Sequence, residues 1–168
     1  MILYGEILKD FQKEKVKYIV VGGLAFNLLG GQRSTSDLDI LVEMSDVNLS
    51  KIVKILKKRG YCVKQPVDPM GIADKPTRHD WIHNKNMKAF NFYKENEFKE
   101  IDIIIETPVS FEVAKKTIQH IKLGTLTIPV ISIANLIKMK KKADRDIDRT
   151  DIKELKALRQ FKRTKNDF

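Results

Sequence analysis

The fold is decided by residues 20–43, which read VVGGLAFNLLGGQRSTSDLDILVE. A β-branched run that starts at Val16 ends at Gly22-Gly23, and apolar residues then recur at helical spacing. This change of pattern indicates a strand, a tight turn and a short helix. The segment Asp37–Glu43 alternates acidic and aliphatic residues, which is the period of a half-buried strand. The stretch therefore predicts the strand–helix–strand start of an α/β fold.

The flanking sequence extends this pattern. Ser45 or Asp46 is placed to cap an amphipathic helix that Gly60 ends. Pro66–Arg78, with three prolines, is predicted to be a loop. Further strands are predicted at 61–65, 89–93, 100–106 and 126–130, and further helices at 2–11, 111–117, 132–143 and 148–161. We expect one α/β (α+β) domain over residues 1–168, with a small mixed sheet, helices mainly on one side and a helical, basic C-terminal part from about residue 132.

Composition excludes several classes of protein. A chain of 168 residues with 42% hydrophobic and 32% charged residues can form one globular core and is not predicted to be disordered. Its longest apolar stretch, Tyr18–Gly31, is too short and too interrupted to span a membrane. The single cysteine, Cys62, cannot form an internal disulfide, and no signal peptide is recognisable. We therefore expect a soluble, cytoplasmic protein.

The charge favours polyanionic partners. The net charge is +10, and Lys138–Phe168 holds twelve Lys and Arg against six acidic residues. Nucleotides and nucleic acids are both compatible with this balance, and so is a solvated helical face.

Carboxylates are concentrated on one face of two predicted strands. Residues two apart on a strand share a face, so Asp37 and Asp39 lie together, as do Glu100 and Asp102. Two carboxylates about 5 Å apart repel by about 3 kcal/mol at an effective dielectric of 20. A divalent cation would reverse this cost, and oxygen ligands without nearby His or Cys select Mg²⁺ or Mn²⁺. Because Mg²⁺ commonly bridges to substrate phosphates, the natural co-substrate is a nucleoside triphosphate.

A candidate phosphate-binding turn lies upstream. Gly22-Gly23 leads from a strand directly to a helix N-terminus, where free N–H groups bind anions and glycine permits close approach. Arg33 is placed to contact phosphate from the following loop. Lys138, on a later helix, could reach the β- or γ-phosphate. Asp148 and Asp151 have the spacing of a helix-initiating pair, and we assign them to that role.

These residues resemble the DNA polymerase beta-like nucleotidyltransferase superfamily. Its pattern is matched by Val21-Gly22-Gly23, by Asp37-Leu38-Asp39 and by the later Ile101-Asp102-Ile103. Residues 22–39, with residues 128–151, look most like the branch of AbiEii-type toxins and lincosamide and aminoglycoside nucleotidyltransferases. The resemblance covers about residues 16–158 but not residues 61–98. It departs at Gly23, where many members carry a serine whose hydroxyl could contact phosphate.

The resemblance implies a two-metal transfer of a nucleoside monophosphate to a hydroxyl. Asp37 and Asp39 would hold metal on the triphosphate, while Asp102 would bind the metal at the acceptor hydroxyl and could take its proton. The acceptor stays open among tRNA, a protein and a small molecule, with RNA or protein slightly favoured by the basic C-terminus. Two other functions stay open: a catalytically silent nucleotide-binding or toxin–antitoxin interaction module, and a basic nucleic-acid-binding protein.

Overall fold

The computed structural model of the protein describes residues 3–166, which form a mixed α/β fold around a seven-stranded sheet. The strands are β1 (Tyr18–Val21), β2 (Asp37–Val42), β3 (Tyr61–Val63), β4 (Ala89–Lys94), β5 (Glu100–Ile104), β6 (Gln119–Leu123) and β7 (Leu126–Val130). The helices are α1 (Gly5–Lys13), α2 (Gly22–Leu28), α3 (Asp46–Lys58), α4 (Lys75–His83), α5 (Phe111–Ala114), α6 (Ile133–Ala143) and α7 (Asp146–Asn166). The strand order is β3-β4-β5-β2-β1-β7-β6.

The centre of the sheet aligns the ends of three strands. β2 runs antiparallel to β1 and parallel to β5. Val21, the last residue of β1, pairs with Asp39, and Asp39 pairs with Asp102 on β5. Because paired residues of neighbouring strands share a face, the turn after Val21 and both aspartates meet on one side of the sheet.

The opposite side of the sheet is apolar and is covered by helices. Phe11 of α1 packs edge-on against Tyr18 with ring centroids 5.1 Å apart. Trp81 of α4 lies 5.7 Å from Phe90 on β4. All four rings are buried, as is Ile103 opposite Phe90. Burial of this face fixes the strand register, because a one-residue slip would move the apolar side chains to the carboxylate side.

The predicted α/β class with a small mixed sheet is confirmed, whereas one strand and one helix differ from the prediction. β6 was missed; it pairs with β7 through a two-residue turn in which Gly124 has φ +63°. The predicted loop Pro66–Arg78 is wrong. It contains a 3₁₀ helix at Pro69–Ala73 and the first four residues of α4, because Asp68 and Asp74 cap these helices and Pro69 and Pro76 occupy their first and second positions, respectively.

The terminal helices also differ in extent. α7 starts two residues earlier and ends five residues later than the predicted 148–161. α1 starts at Gly5, and the predicted helical residue Ile2 lies outside the described residues. No helix within residues 3–166 combines the length and apolar character needed to cross a membrane.

Two side chains tie the sheet together at its ends. The Tyr4 hydroxyl contacts the Ser36 carbonyl at 2.5 Å and accepts the Glu100 N–H at 2.9 Å, which joins the starts of β2 and β5. At the other end, buried Asn48 accepts the Lys17 N–H at 2.8 Å and donates to the Lys17 and Glu43 carbonyls, both at 2.9 Å.

We predict that Asn48→Leu destabilises the fold by about 3 kcal/mol, because it leaves the Lys17 N–H and the Glu43 carbonyl without this partner. Urea denaturation monitored by circular dichroism measures the change. Asn84→Ala, at an exposed helix end, is the matched control and should cost less than about 1 kcal/mol. Equal stability of the Asn48 variant and wild type would show that water satisfies these groups.

Candidate active site

Carboxylates from two parallel strands form the floor of the site. Asp37 and Asp39 alternate along β2, and the register places Asp37 opposite Glu100 and Asp39 opposite Asp102. All four share one face and are partly exposed, whereas Leu38, between the two aspartates, is fully buried on the other face. The face predicted from the alternating sequence is therefore present in the structure.

Asp39 is the most perturbed member of this group. Burial, followed by the charges of Asp102 and Asp37, raises the pKa of its carboxyl to about 7, while the positive charges of Arg145 and Lys140 act in the opposite direction. A carboxylate that is costly to ionise in the empty protein is suited to hold a cation or a proton.

Each remaining carboxylate has its own donor. Ser36 Oγ donates to Asp37 Oδ1 at 2.7 Å, and Lys64 Nζ lies 2.6 Å from Glu100 Oε2. Asn91 Nδ2 donates to Asp102 Oδ1 at 2.7 Å. Burial raises the pKa of Asp102, an effect that the Asn91 hydrogen bond opposes.

The glycine turn lies directly against this floor. Gly22 has φ +65°, and a Cβ built on it would overlap Asp39 Oδ2. A Cβ on Gly23 would lie 2.7 Å from Thr35 Oγ1 and 2.8 Å from Arg33 Nη2. No side chain caps the start of α2 within this described segment. Gly22 is thus required by its positive φ, whereas a Cβ on Gly23 would displace the Thr35 and Arg33 side chains. The first N–H groups of α2 lack a side-chain acceptor.

Arg33 lies beside the turn, as its predicted phosphate contact requires. Its Nε is 3.1 and 3.2 Å from the two carboxylate oxygens of Asp151, and its Nη1 donates to the Ser34 carbonyl at 3.0 Å. Its Cζ lies 5.8 Å from the centre of the Phe26 ring. These contacts hold the guanidinium with Nη2 over Gly23.

A buried ion network extends from Arg33 to the C-terminal helices. Lys140 Nζ lies 2.7 Å from Asp151 Oδ2 and 3.4 Å from Asp148 Oδ1, and all three side chains are buried. Arg145 Nε donates to Asp148 Oδ2 at 2.7 Å. The network holds three cationic and two anionic side chains, so it is a net positive group next to the negative aspartates.

Lys138, the predicted phosphate ligand on α6, does not join this group. It is exposed, whereas Lys140 is 4% exposed and belongs to the network. Two residues of helix rotate a side chain by about 200°, so the two lysines point in nearly opposite directions. The sequence did carry a signal for Lys140, because it continues the inward stripe of Ile133, Leu136 and Ile137.

The helix-initiating role of Asp148 and Asp151 is only half right. Asp148 Oδ2 accepts the Arg145 backbone N–H at 3.2 Å just before α7, as a capping residue does. Asp151 instead pairs with Arg33 and Lys140. Asp148 and Asp151 share the face of α7 that also buries Leu155. Because acids on a buried face need paired cations, this spacing was the sequence signal for buried partners.

The family is established by a match over most of the chain. The family model of aminoglycoside-2''-adenylyltransferase matches residues 4–155. The chain belongs to this family. The resemblance to nucleotidyltransferases predicted from the sequence is therefore confirmed, and the aspartates and glycines described above lie within the matched region. A search of curated protein sequences finds no match.

Solved structures share the fold of this aminoglycoside-2''-adenylyltransferase family member. The lincosamide antibiotic adenylyltransferase LnuA, solved with lincomycin bound, is 22% identical with a TM-score of 0.63, over 91% of this chain and 94% of that one. ANT(2'')-Ia, in complex with adenylyl-2''-tobramycin, is 14% identical with a TM-score of 0.56, over 98% and 97%. An antigenic nucleotidyltransferase-like protein from Paracoccidioides brasiliensis is 13% identical with a TM-score of 0.53, over 91% and 72%.

We predict that Asp39→Asn stabilises the protein at pH 8 by about 1–3 kcal/mol, because it removes a carboxylate whose ionisation is opposed by burial and like charges. The folded-state pKa of about 7 exceeds the ordinary value of 3.8. The wild type should therefore lose stability as pH rises from 4 to 7, and the two proteins should be equally stable below pH 4. Urea denaturation across this range measures the difference, with Asp80→Asn on α4 as control. A pH-independent difference would contradict the raised pKa.

We predict that Lys140→Met lowers the free energy of unfolding by about 3 kcal/mol, because it leaves buried carboxylates short of a cation. Its matched control is Lys138→Met on the same helix, which should change stability by less than about 0.5 kcal/mol. Calorimetric titration with a non-hydrolysable nucleoside triphosphate should show weaker binding only for the Lys140 variant. Without Lys140, Asp151 is no longer fixed, and Asp151 is the residue that holds Arg33 in place. Equal effects of the two variants would contradict this distinction.

Proposed function

We propose that the chain transfers a nucleoside monophosphate, adenylate above all, from a nucleoside triphosphate to a hydroxyl of a small, cationic, antibiotic-like acceptor. The observation that carries the proposal is the register that sets Asp39 beside Asp102 and directly against the Gly22 turn. This arrangement places hard oxygen ligands next to unpaired backbone donors, as phosphoryl-transfer chemistry needs. The family match supports the choice of adenylate.

A divalent cation fits the donor set. In the described part of the chain no three His, Cys, Asp or Glu side chains close around a metal by themselves. Mg²⁺ does not need such a cage, because it commonly uses one or two carboxylates with waters and substrate phosphates. Asp37, Asp39 and Asp102 are the residues that would hold Mg²⁺ or Mn²⁺. When bound, the cation would neutralise charge on the triphosphate and lower the pKa of the acceptor hydroxyl.

The protein's own groups divide the remaining work. The backbone N–H groups after Gly22 and Gly23 bind triphosphate oxygens, and the anchored Arg33 guanidinium adds a fixed positive charge beside them. Asp102, on the far side of Asp39 from the turn, accepts the proton of the attacking hydroxyl. Binding on this rigid sheet aligns the hydroxyl with the α-phosphate.

The charge on the open sheet face favours a small cationic acceptor over RNA. Asp37, Asp39, Glu100 and Asp102 share this face, and of their side chains Glu100 pairs with a lysine, Lys64. An RNA backbone would be repelled by these groups, whereas an amine-bearing acceptor would be attracted. This reverses the slight preference for RNA or protein drawn from the basic C-terminus. The exposed lysines and arginines of α7 are assigned to a solvated face.

The test is transfer of label from α-labelled triphosphates. We expect Mg²⁺-dependent labelling from ATP of an aminoglycoside or lincosamide, release of pyrophosphate, and loss of at least about 100-fold in rate with Asp39→Asn. Bulk tRNA and a cell protein extract serve as competing acceptors. Labelling of tRNA alone would replace the small acceptor by RNA. No labelling from any triphosphate, despite tight triphosphate binding, would favour the catalytically silent nucleotide-binding module.

A further inference from the structure

Asp102 is held by a chain of two amides from the outer strands of the sheet. Asn91 on β4 lies opposite Asp102 in the antiparallel register, and its Nδ2 donates to Asp102 Oδ1 at 2.7 Å. Gln65, just beyond the end of β3, donates from Nε2 to Asn91 Oδ1 at 2.7 Å. The three side chains thus form one line of hydrogen bonds that runs toward the aspartates.

The direction of this line is set by the backbone. Gln65 Nε2 also donates to the Ala89 carbonyl at 3.3 Å, and Gln65 Oε1 accepts the Asn91 N–H at 3.3 Å. An amide turned the other way would face a carbonyl with its oxygen and an N–H with its NH₂ group. Gln65 therefore presents a donor to Asn91, and Asn91 in turn must present its own donor to Asp102.

This fixed donor has a specific consequence for Asp102. Its carboxylate is repelled by Asp37, Asp39 and Glu100, which would otherwise favour a rotamer turned away from them. The bond from Asn91 holds Oδ1 and leaves Oδ2 for other ligands. Because the amide is neutral, it orients the carboxylate without competing for it as a lysine would.

We propose that Asn91, oriented by Gln65, is the positioning residue for Asp102 and keeps Asp102 Oδ2 directed to the acceptor hydroxyl and a divalent cation. The proposal rests on the proposed transfer reaction for its catalytic role. The hydrogen bonds from Gln65 to Asn91 and from Asn91 to Asp102, here called the amide relay, do not depend on a bound substrate. Their effect on cation binding can therefore be measured without turnover.

The experiment compares four variants. Asn91→Leu removes the donor. Gln65→Glu has nearly the same shape, and its ionised carboxylate at pH 8 cannot donate. The Asn91 amide must then turn to donate to residue 65, which directs the Asn91 oxygen at Asp102. Gln65→Leu removes the anchor without reversing it, and Gln160→Glu is the charge-matched control on exposed α7. Thermal melting confirms the fold, steady-state kinetics give kcat and KM, and electron paramagnetic resonance measures Mn²⁺ affinity with and without a non-hydrolysable ATP analogue.

We expect Asn91→Leu and Gln65→Glu each to lower kcat and Mn²⁺ affinity by about tenfold, with KM for ATP within twofold of wild type. Gln65→Leu should lose about threefold and Gln160→Glu nothing. An added negative charge alone would tighten Mn²⁺ binding, so weaker binding by Gln65→Glu identifies the reversed amide. Tighter Mn²⁺ binding by Gln65→Glu, or equal losses in both Gln65 variants, would overturn the proposal. If wild type transfers no nucleotide, the proposed function fails while the Mn²⁺ measurements still decide the relay.

Discussion

The site depends on a packing constraint at Asp39. Its carboxylate lies against the backbone of Gly22, beside Asp102, and a Cβ at Gly22 would overlap it. Burial and the neighbouring aspartates make this carboxylate costly to ionise, and its pKa of about 7 expresses that cost. The apolar core on the other side of the sheet maintains the strand register, and this register keeps Asp39 beside Asp102. The fold therefore stabilises an arrangement of charges that would otherwise separate.

An acidic group and a basic group of side chains lie near the Gly22-Gly23 turn, and different elements of the fold carry them. The acidic group is carried by the central strands and relieved by single donors from Ser36 and Asn91. The basic group is carried by the loop before β2, by α6 and by the link between α6 and α7, and Asp148 and Asp151 of α7 fix its three cations in place. The proposed co-substrate, a nucleoside triphosphate with a divalent cation, would complement both, since its phosphates match the basic group and its cation the acidic one.

Local sequence patterns predict several parts of this structure. The period-two alternation around Asp37–Asp39 and Glu100–Asp102 predicted both strands and their acidic face, and the residues flanking Gly22-Gly23 predicted the turn. These patterns do not predict the features that depend on contacts between residues far apart in the sequence or on the capping of a helix. Pro76 at the start of α4 indicates a loop unless the capping role of Asp74 is recognised, and β6 exists because β7 pairs with it. Lys138 was chosen and Lys140 was not considered, since the buried partners of Lys140 follow it by 8 and 11 residues. The contact of Gln65 with Asn91, 26 residues apart, has no local signal.

The most direct test of this account is the coupling between cation and triphosphate at the aspartates. Isothermal titration calorimetry at pH 8 would measure the affinity for a non-hydrolysable ATP analogue with Mg²⁺ and without it, in wild type and in Asp39→Asn. We predict that Mg²⁺ tightens binding to wild type by at least about tenfold, because it relieves the repulsion around Asp39, and that Asp39→Asn loses most of this gain. The same affinity with and without Mg²⁺ in wild type would contradict it.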